Sequence, residues 1–361
     1  MINSFRIDGF RGIHNLSVRN LNAVNLIVGD NNSGKTSVLE ALQLLSNPGE
    51  ISNLFRVARC RDFAFAPSGV SLYENVLCLF PHADDLLSLG VSAEFDNKPV
   101  GCYINGKQER IIMDSSEVEG YYLRHAEMIG ENEADQFLGT IEYINGNQRG
   151  TTPLQLNTYS KASGSAISKN KAIRMVYVSP CDHLRGSLIS QIIRNDGYKE
   201  ICVKALQLFD PNIADILVLK SNVGVRSVDY IKHKLLGIMP LSTFGDGIKK
   251  VLVLANAIVQ SANGILFIDE IETAIHKKYY DDIFRFIVKA CAAFHVQVFI
   301  TTHSIEAVDG LLATQDYNEQ TVMDDISVIT LKRANGRSYS RVLPGREVSE
   351  NREAFGFEVR L

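Results

Sequence analysis

Gly29-Asp30-Asn31-Asn32-Ser33-Gly34-Lys35-Thr36, followed by Ser37, satisfies the pattern GxxxxGK[ST] in full. The residue types suit one task, holding a phosphate chain. Glycines let the backbone curl so that successive N–H groups point inward. A helix beginning at the same point adds the positive end of its dipole. Lys35 can reach the β- and γ-phosphates as a point charge, and the Thr36 hydroxyl is the expected Mg²⁺ ligand.

A second group of residues lies far downstream. In "GILFIDEIETAIH" four apolar residues, Ile265 to Ile268, end at Asp269-Glu270. Desolvating an unpaired carboxylate is costly, so a buried strand ending in two of them needs a reason. Mg²⁺ supplies one. Asp269 would bind the metal or a water of its shell. Glu270, pointing the other way along the pleat, would act as general base on the attacking water. "VFITTHS" again ends an apolar strand in polar residues, with His303 at the edge where open α/β sheets bind ligands. His303 could bond a γ-phosphate oxygen or orient the water, and Ser304 could cap the helix that follows. A third element, Gly245-Asp246-Gly247, opens a helix about two dozen residues before Asp269.

These residues need a scaffold to bring them together. The 361-residue chain is 45% hydrophobic and 22% charged, enough for one large domain or a domain with an insertion. Its net charge of -4 gives no global basic field for nucleic acid. The six cysteines include no CxxC pair, which argues against a zinc site and for reduced thiols. The N-terminus lacks the apolar core of a signal peptide, and no long uncharged apolar stretch occurs. The expectation is a soluble cytoplasmic protein with no membrane partner.

Residues 2–28 read as two strands around a turn at Arg11-Gly12, and 35–46 as a helix stopped by Asn47-Pro48-Gly49. Residues 70–160 read as antiparallel sheet with hairpin turns at Asn105-Gly106 and Asn145-Gly146. The polar stretch 158–172 reads as a mobile loop. After a strand at 173–180, residues 183–236 read as mainly helical, with breaks at Asp210-Pro211 and near Gly224. Strands and helices then alternate. The expected fold class is α/β: a P-loop NTPase head with a mostly parallel core sheet, an antiparallel β subdomain and a helical insertion. The expected division is lobe I over 1–182 with a β insertion at about 60–172, a helical insertion over 183–240, and lobe II over 241–361.

In this order the motifs resemble the head domain of ABC-type ATPases, in particular the SMC/RecF and OLD-like branch. "FRIDGFRGIHNLSV", "GDGIKKVLVLANAI", "LFIDEIETAIH" and "QVFITTHSIEAV" are similar to stand-alone OLD-like ATPases, and "EVSENREAFGFEVRL" resembles their terminal strand. The resemblance implies ATP and Mg²⁺ as cofactors and places Lys35, Thr36, Asp269, Glu270 and His303 on the family's binding and catalytic positions. Arg11 falls near its nucleotide-contacting arginine, although a plain turn arginine is an equal alternative. It also implies a homodimer or higher oligomer, with each ATP between one subunit's phosphate loop and the other's Gly245–Gly247 helix start. Gly245 stands where the family has a serine, which implies slow hydrolysis.

The lack of a long coiled coil argues against a chromosome tether, and Asp324-Asp325 alone reads as a solvated turn rather than a Toprim nuclease centre, so no nuclease is expected in this chain. Three roles stay open. The chain could be the ATPase subunit of a bacterial anti-phage system that controls a separate effector, such as a Toprim-like nuclease. It could be a RecF-like repair ATPase that clamps DNA. It could also be a nucleotide-dependent scaffold with little turnover.

Overall fold

The computed structural model describes residues 1–61, 70–81, 86–113, 132–160, 172–184, 188–189, 192–220, 227–317 and 324–360. The chain begins with β1 (Ile2–Asp8), β2 (Leu16–Arg19) and β3 (Val24–Gly29), followed by α1 (Lys35–Leu42), α2 (Ile51–Ala58) and α3 (Leu72–Leu77). Four long strands come next: β4 (Leu86–Phe95), β5 (Lys98–Met113), β6 (Asn132–Asn145) and β7 (Gln148–Asn157). Then β8 (Met175–Val178) and α4 (Asp196–Gln207) lead into β9 (Ile213–Lys220), β10 (Ser227–His233) and β11 (Gly237–Pro240). The last part holds α5 (Asp246–Gln260), β12 (Ile265–Ile268), α6 (Tyr280–Ala293), β13 (Gln297–Thr301) and α7 (Ile305–Leu312). It closes with β14 (Ile326–Ala334), β15 (Arg337–Pro344) and α8 (Gly345–Phe355).

The core sheet has the order β15-β14-β3-β13-β12-β8. Its inner pairings are parallel, and β15 alone runs antiparallel, on the edge. Both faces are covered, so the strands are continuous apolar runs rather than alternating ones. Ile27, Phe267 and Phe299 face one core, shared with α1 and the antiparallel sheet. Leu26, Val28, Leu266, Ile268, Val298 and Ile300 face the other, built with α5, α6 and α7.

The antiparallel sheet runs β2-β1-β4-β5-β6-β7, so the first two strands of the chain complete the subdomain expected from the middle of it. Gln297, at the start of β13, joins the two sheets. Its side chain accepts from the Ile2 N–H at 2.7 Å and donates to the Ile2 carbonyl at 2.8 Å.

Three local expectations are corrected. Asn105-Gly106 is no hairpin turn, since β5 runs straight through it and the turn before it lies at Asp96-Asn97. Gly106 is there for packing: a Cβ on it would lie 2.4 Å from the Phe137 ring. The Asn145-Gly146 turn does form, with Gly146 at φ 59°.

The stretch 183–236 is not mainly helical. Among its described residues it holds α4 and then, after Asp210-Pro211, the antiparallel sheet β11-β10-β9, so the segment expected to be helical is strand as well as helix. "DILVLK" and "VDYIKH" carry apolar residues that suit either period over so short a run, and tertiary packing decides for strand. The segment "EVSENREAF" is helix α8, not a terminal strand, and is capped by Gly356 at φ 62°. Residues 161–171 and 221–226, on which the loop at 158–172 and the break near Gly224 fall, lie outside the described residues. No described helix is long and apolar enough to cross a membrane.

Candidate functional site

The carboxyl ends of β3, β12 and β13 meet because their register is parallel and unstaggered. Ile268 lies opposite Ile300, and Ile300 opposite Leu26. The residues that follow each strand therefore emerge side by side, the position at which open α/β sheets bind ligands.

At the end of β3 the chain turns through Gly29 (φ 145°), Asn32 (φ 64°) and Gly34 (φ 98°) into α1. Gly29 is needed for space as well as angle, since a Cβ there would lie 2.3 Å from the Leu331 carbonyl. Asp30, Asn31 and Asn32 are exposed, whereas Ser33 and Lys35 are buried. The Lys35 ammonium donates to the carbonyls of Gly29 and Asp30, both at 2.8 Å, so the lysine ties its own loop into a ring. Burial lowers its pKa below the ordinary lysine value, although Asp269, Asp30, Glu270 and Glu272 pull the other way. A buried cation with only two carbonyls as partners is poised for an anion.

Asp269 follows β12 directly, its N–H donating to the Val178 carbonyl at 2.9 Å, and its side chain lies on the α1 face. Its Oδ1 accepts from the Thr301 hydroxyl at 2.6 Å and the Thr36 hydroxyl at 3.1 Å, and its Oδ2 accepts from the Tyr177 hydroxyl at 3.1 Å. Three O–H donors account for how a carboxylate can be almost fully buried. Burial pushes the Tyr177 phenol far up, so it stays a donor. No sequence motif marks Tyr177 or Thr301. Both sit on strands whose apolar pattern says nothing about what their hydroxyls meet.

Glu270 does not owe its position to the pleat, because β12 ends at Ile268 and the residue sits in a bend at φ 48°. Its N–H donates to the Thr301 hydroxyl at 2.8 Å. Its Oε1 lies 3.5 Å from His303 Nε2, and both side chains are more than a third exposed. Glu272 fixes the loop behind them: its Oε1 accepts the N–H groups of His303 at 2.7 Å and Ser304 at 3.2 Å. Ser304 caps α7 as expected, accepting from the Ala307 N–H.

Not every expected residue joins this cluster. Arg11 occupies a left-handed turn at φ 51°, and its guanidinium lies 2.8 Å from Glu40, a buried carboxylate of α1 also paired with Arg61. Arg61 further donates to the Ser37 hydroxyl at 3.2 Å. Arg11 thus braces the phosphate-loop helix from behind. Among the described residues no hydrogen bond or ion pair joins Gly245–Gly247 to the cluster. Gly245 is the N-cap of α5 and faces open space, while Gly247 is packed against the Ala274 carbonyl and the Phe209 ring. Asp324 is not a free solvated turn: its carboxylate accepts from the N–H groups of Ile326 and Arg346.

A family model described as "AAA ATPase domain" matches residues 1–210, and one described as "AAA domain, putative AbiEii toxin, Type IV TA system" matches 179–309. A Helicobacter pylori protein named ATP/GTP phosphatase is 24% identical over 358 residues, covering 89% of this chain and 91% of that one. The DNA replication and repair protein RecF of Francisella tularensis is 48% identical over 46 residues, 13% of each chain. An SMC head bound to the C-winged helix domain of ScpA superposes with TM-score 0.51 at 13% identity, covering 97% of this chain and 99% of that one. A Pyrococcus furiosus Smc head with an extended coiled coil gives TM-score 0.50 at 12% identity, covering 99% of both. The chain belongs to the AAA ATPase domain family: it is an ATP-binding ATPase with the fold of an SMC head.

Proposed function

We propose that this ATPase is a nucleotide-driven dimerisation switch, the ATPase subunit of a bacterial anti-phage system that passes its nucleotide state to a separate effector protein such as a Toprim-like nuclease. The observation that carries the hydrolytic part is Asp269, held by Thr36 of the phosphate loop and by Thr301 of the strand that leads to His303. One carboxylate thereby ties together segments that are more than 230 positions apart in the chain.

Mg²⁺ fits the residues present. Thr36 Oγ1 and Asp269 Oδ1 are hard oxygens 3.1 Å apart. No group of three His, Cys, Asp or Glu side chains suited to a metal occurs among the described residues. That is compatible, because Mg²⁺ takes one or two protein oxygens and completes its shell with phosphate and water. When bound it would neutralise phosphate charge. The chain's own residues supply the rest. Lys35 and the loop N–H groups hold the phosphates. Glu270 accepts the proton of the attacking water, and His303 beside it orients that water or the terminal phosphate. Thr301 keeps Glu270 in its left-handed backbone geometry, which costs on the order of 1 kcal/mol for a non-glycine residue.

In the switch, each ATP lies between one subunit's phosphate loop and its partner's α5 start. The open space at Gly245 supports such a close approach. Two bound nucleotides close the dimer and hydrolysis opens it. The family match over 179–309, with its toxin description, supports the defence reading. The RecF match supports a second reading, a DNA-clamping repair ATPase, which DNA-stimulated turnover would favour.

The test is Glu270→Gln, followed by light scattering with and without ATP. The variant should retain ATP, stop turnover and accumulate as a dimer. Wild-type hydrolysis would remove Glu270 as the base, and a monomer at saturating ATP would end the switch.

A further inference from the structure

Residues 356–360, after α8, return to the nucleotide edge of the core sheet. Arg360 and Glu358 line a cleft of about 390 Å³ together with Gly29, Asp30, Asn31 and His303. The position is built in. Val359 is buried, and its carbonyl accepts from the Thr330 hydroxyl of β14 at 2.7 Å. The Phe357 carbonyl accepts from Arg352 at 2.7 Å, and Arg352 is also paired with Asp309 of α7.

The guanidinium itself is aimed. Its Nε and Nη2 donate to the two oxygens of Glu358, each at 2.7 Å, and its Nη1 donates to the His303 carbonyl at 3.0 Å. A guanidinium has five N–H donors, so this leaves further donors for another acceptor. Arg360 holds the Glu358 carboxyl down at about 2, and Asp30 and Glu306 add to the negative field around the guanidinium. A cleft with Asp30 and Glu358 on its walls would repel a polyphosphate unless a cation faced it. Arg360 is the permanent cation among the lining residues. The cleft is bounded by His303, whose ring lies beside Glu270. A phosphate held between Arg360 and His303 would then be the terminal one, on the side of Glu270.

We propose that Arg360 contacts the terminal phosphate of the bound nucleoside triphosphate within its own subunit, and that the Glu358 carboxylate is its holder and competitor. This rests on the phosphate loop being the nucleotide site. It predicts that Arg360 distinguishes triphosphate from diphosphate, because a charge-assisted bond to the terminal phosphate has no counterpart in ADP.

Calorimetry with a non-hydrolysable ATP analogue and with ADP, each with Mg²⁺, tests it. Arg360→Ala should weaken the analogue by about tenfold or more, in line with a hydrogen bond to a charged group, and ADP by less than about twofold. Arg360→Lys should recover part of the difference, since a lysine keeps the charge but loses the fork. Glu358→Gln frees the guanidinium and removes a negative charge, so it should tighten the analogue relative to ADP. It also keeps the question open to test should Arg360→Ala fail to fold. An unchanged analogue-to-ADP ratio in Arg360→Ala, or in Glu358→Gln, would overturn the assignment. Lys35→Ala separates the two ideas. Loss of both ligands there upholds the nucleotide site whatever Arg360 does, and wild-type binding there would remove the site and this proposal together.

Discussion

Thr301→Val probes the point on which the catalytic geometry turns. The Thr301 hydroxyl donates to Asp269 at 2.6 Å and accepts the Glu270 N–H at 2.8 Å, and the residue has no solvent exposure. Valine keeps the shape and replaces the hydroxyl with a methyl. The bond to the carboxylate is worth about 1.5–3 kcal/mol, and an amide left without an acceptor costs about 1–3 kcal/mol. The two share one oxygen and do not add fully, so the expected loss of stability is about 3 kcal/mol. Asp269 keeps Thr36 and Tyr177, so the chain should still fold. Turnover should fall further than stability suggests, by about 10²-fold, because Glu270 loses the bond that fixes its backbone. Thr301→Ser is the control. It retains both hydrogen bonds and loses one buried methyl, at about 1 kcal/mol. Urea denaturation and steady-state ATPase rates on the three proteins decide the matter. A valine variant within about 0.5 kcal/mol and twofold of wild type, or a serine variant as impaired as valine, would refute the account of Thr301.

Further expectations concern binding and assembly. Lys35→Ala should abolish ATP binding measured by calorimetry, because it removes the cation at the centre of the loop. The pKa of Lys35 without ligand is lowered by burial, so as pH rises the ammonium is lost earlier than in an ordinary lysine. Binding a polyanion must then take up a proton, and ATP affinity should decline at a pH below the usual lysine range. Lys35→Arg should flatten that limb in any variant that still binds. Gly245→Trp should leave nucleotide affinity of the monomer unchanged and block ATP-dependent dimerisation, since a Cβ there has no atom of its own chain within 4 Å. Gly247 is a poorer probe than its place in the motif suggests, because bulk there strikes the Ala274 carbonyl and Phe209 of the same subunit.

Local patterns determined much by themselves. The glycine spacing around Lys35, the apolar strands ending in Asp269-Glu270 and in Thr301-Thr302-His303, and the strand–helix alternation after residue 245 were all legible. Each depends on backbone conformations and burial periods that short segments encode. The Asn145-Gly146 turn was legible for the same reason, and Asn105-Gly106 misled because a glycine chosen to admit Phe137 looks the same as one chosen for a turn. The sheet of β9, β10 and β11 reads as helix in the sequence, since short apolar runs fit both periods and only strand pairing separates them.

Tertiary structure alone decided which groups complete the site. Tyr177 and Thr301 reach Asp269 through strand register, Glu272 fixes the His303 loop from across a bend, and Arg360 arrives from the opposite end of the chain. Their partners lie 31 to 92 positions away in the chain. No local pattern records contacts at such separations, because they arise only when the parallel sheet sets its strand ends in one row.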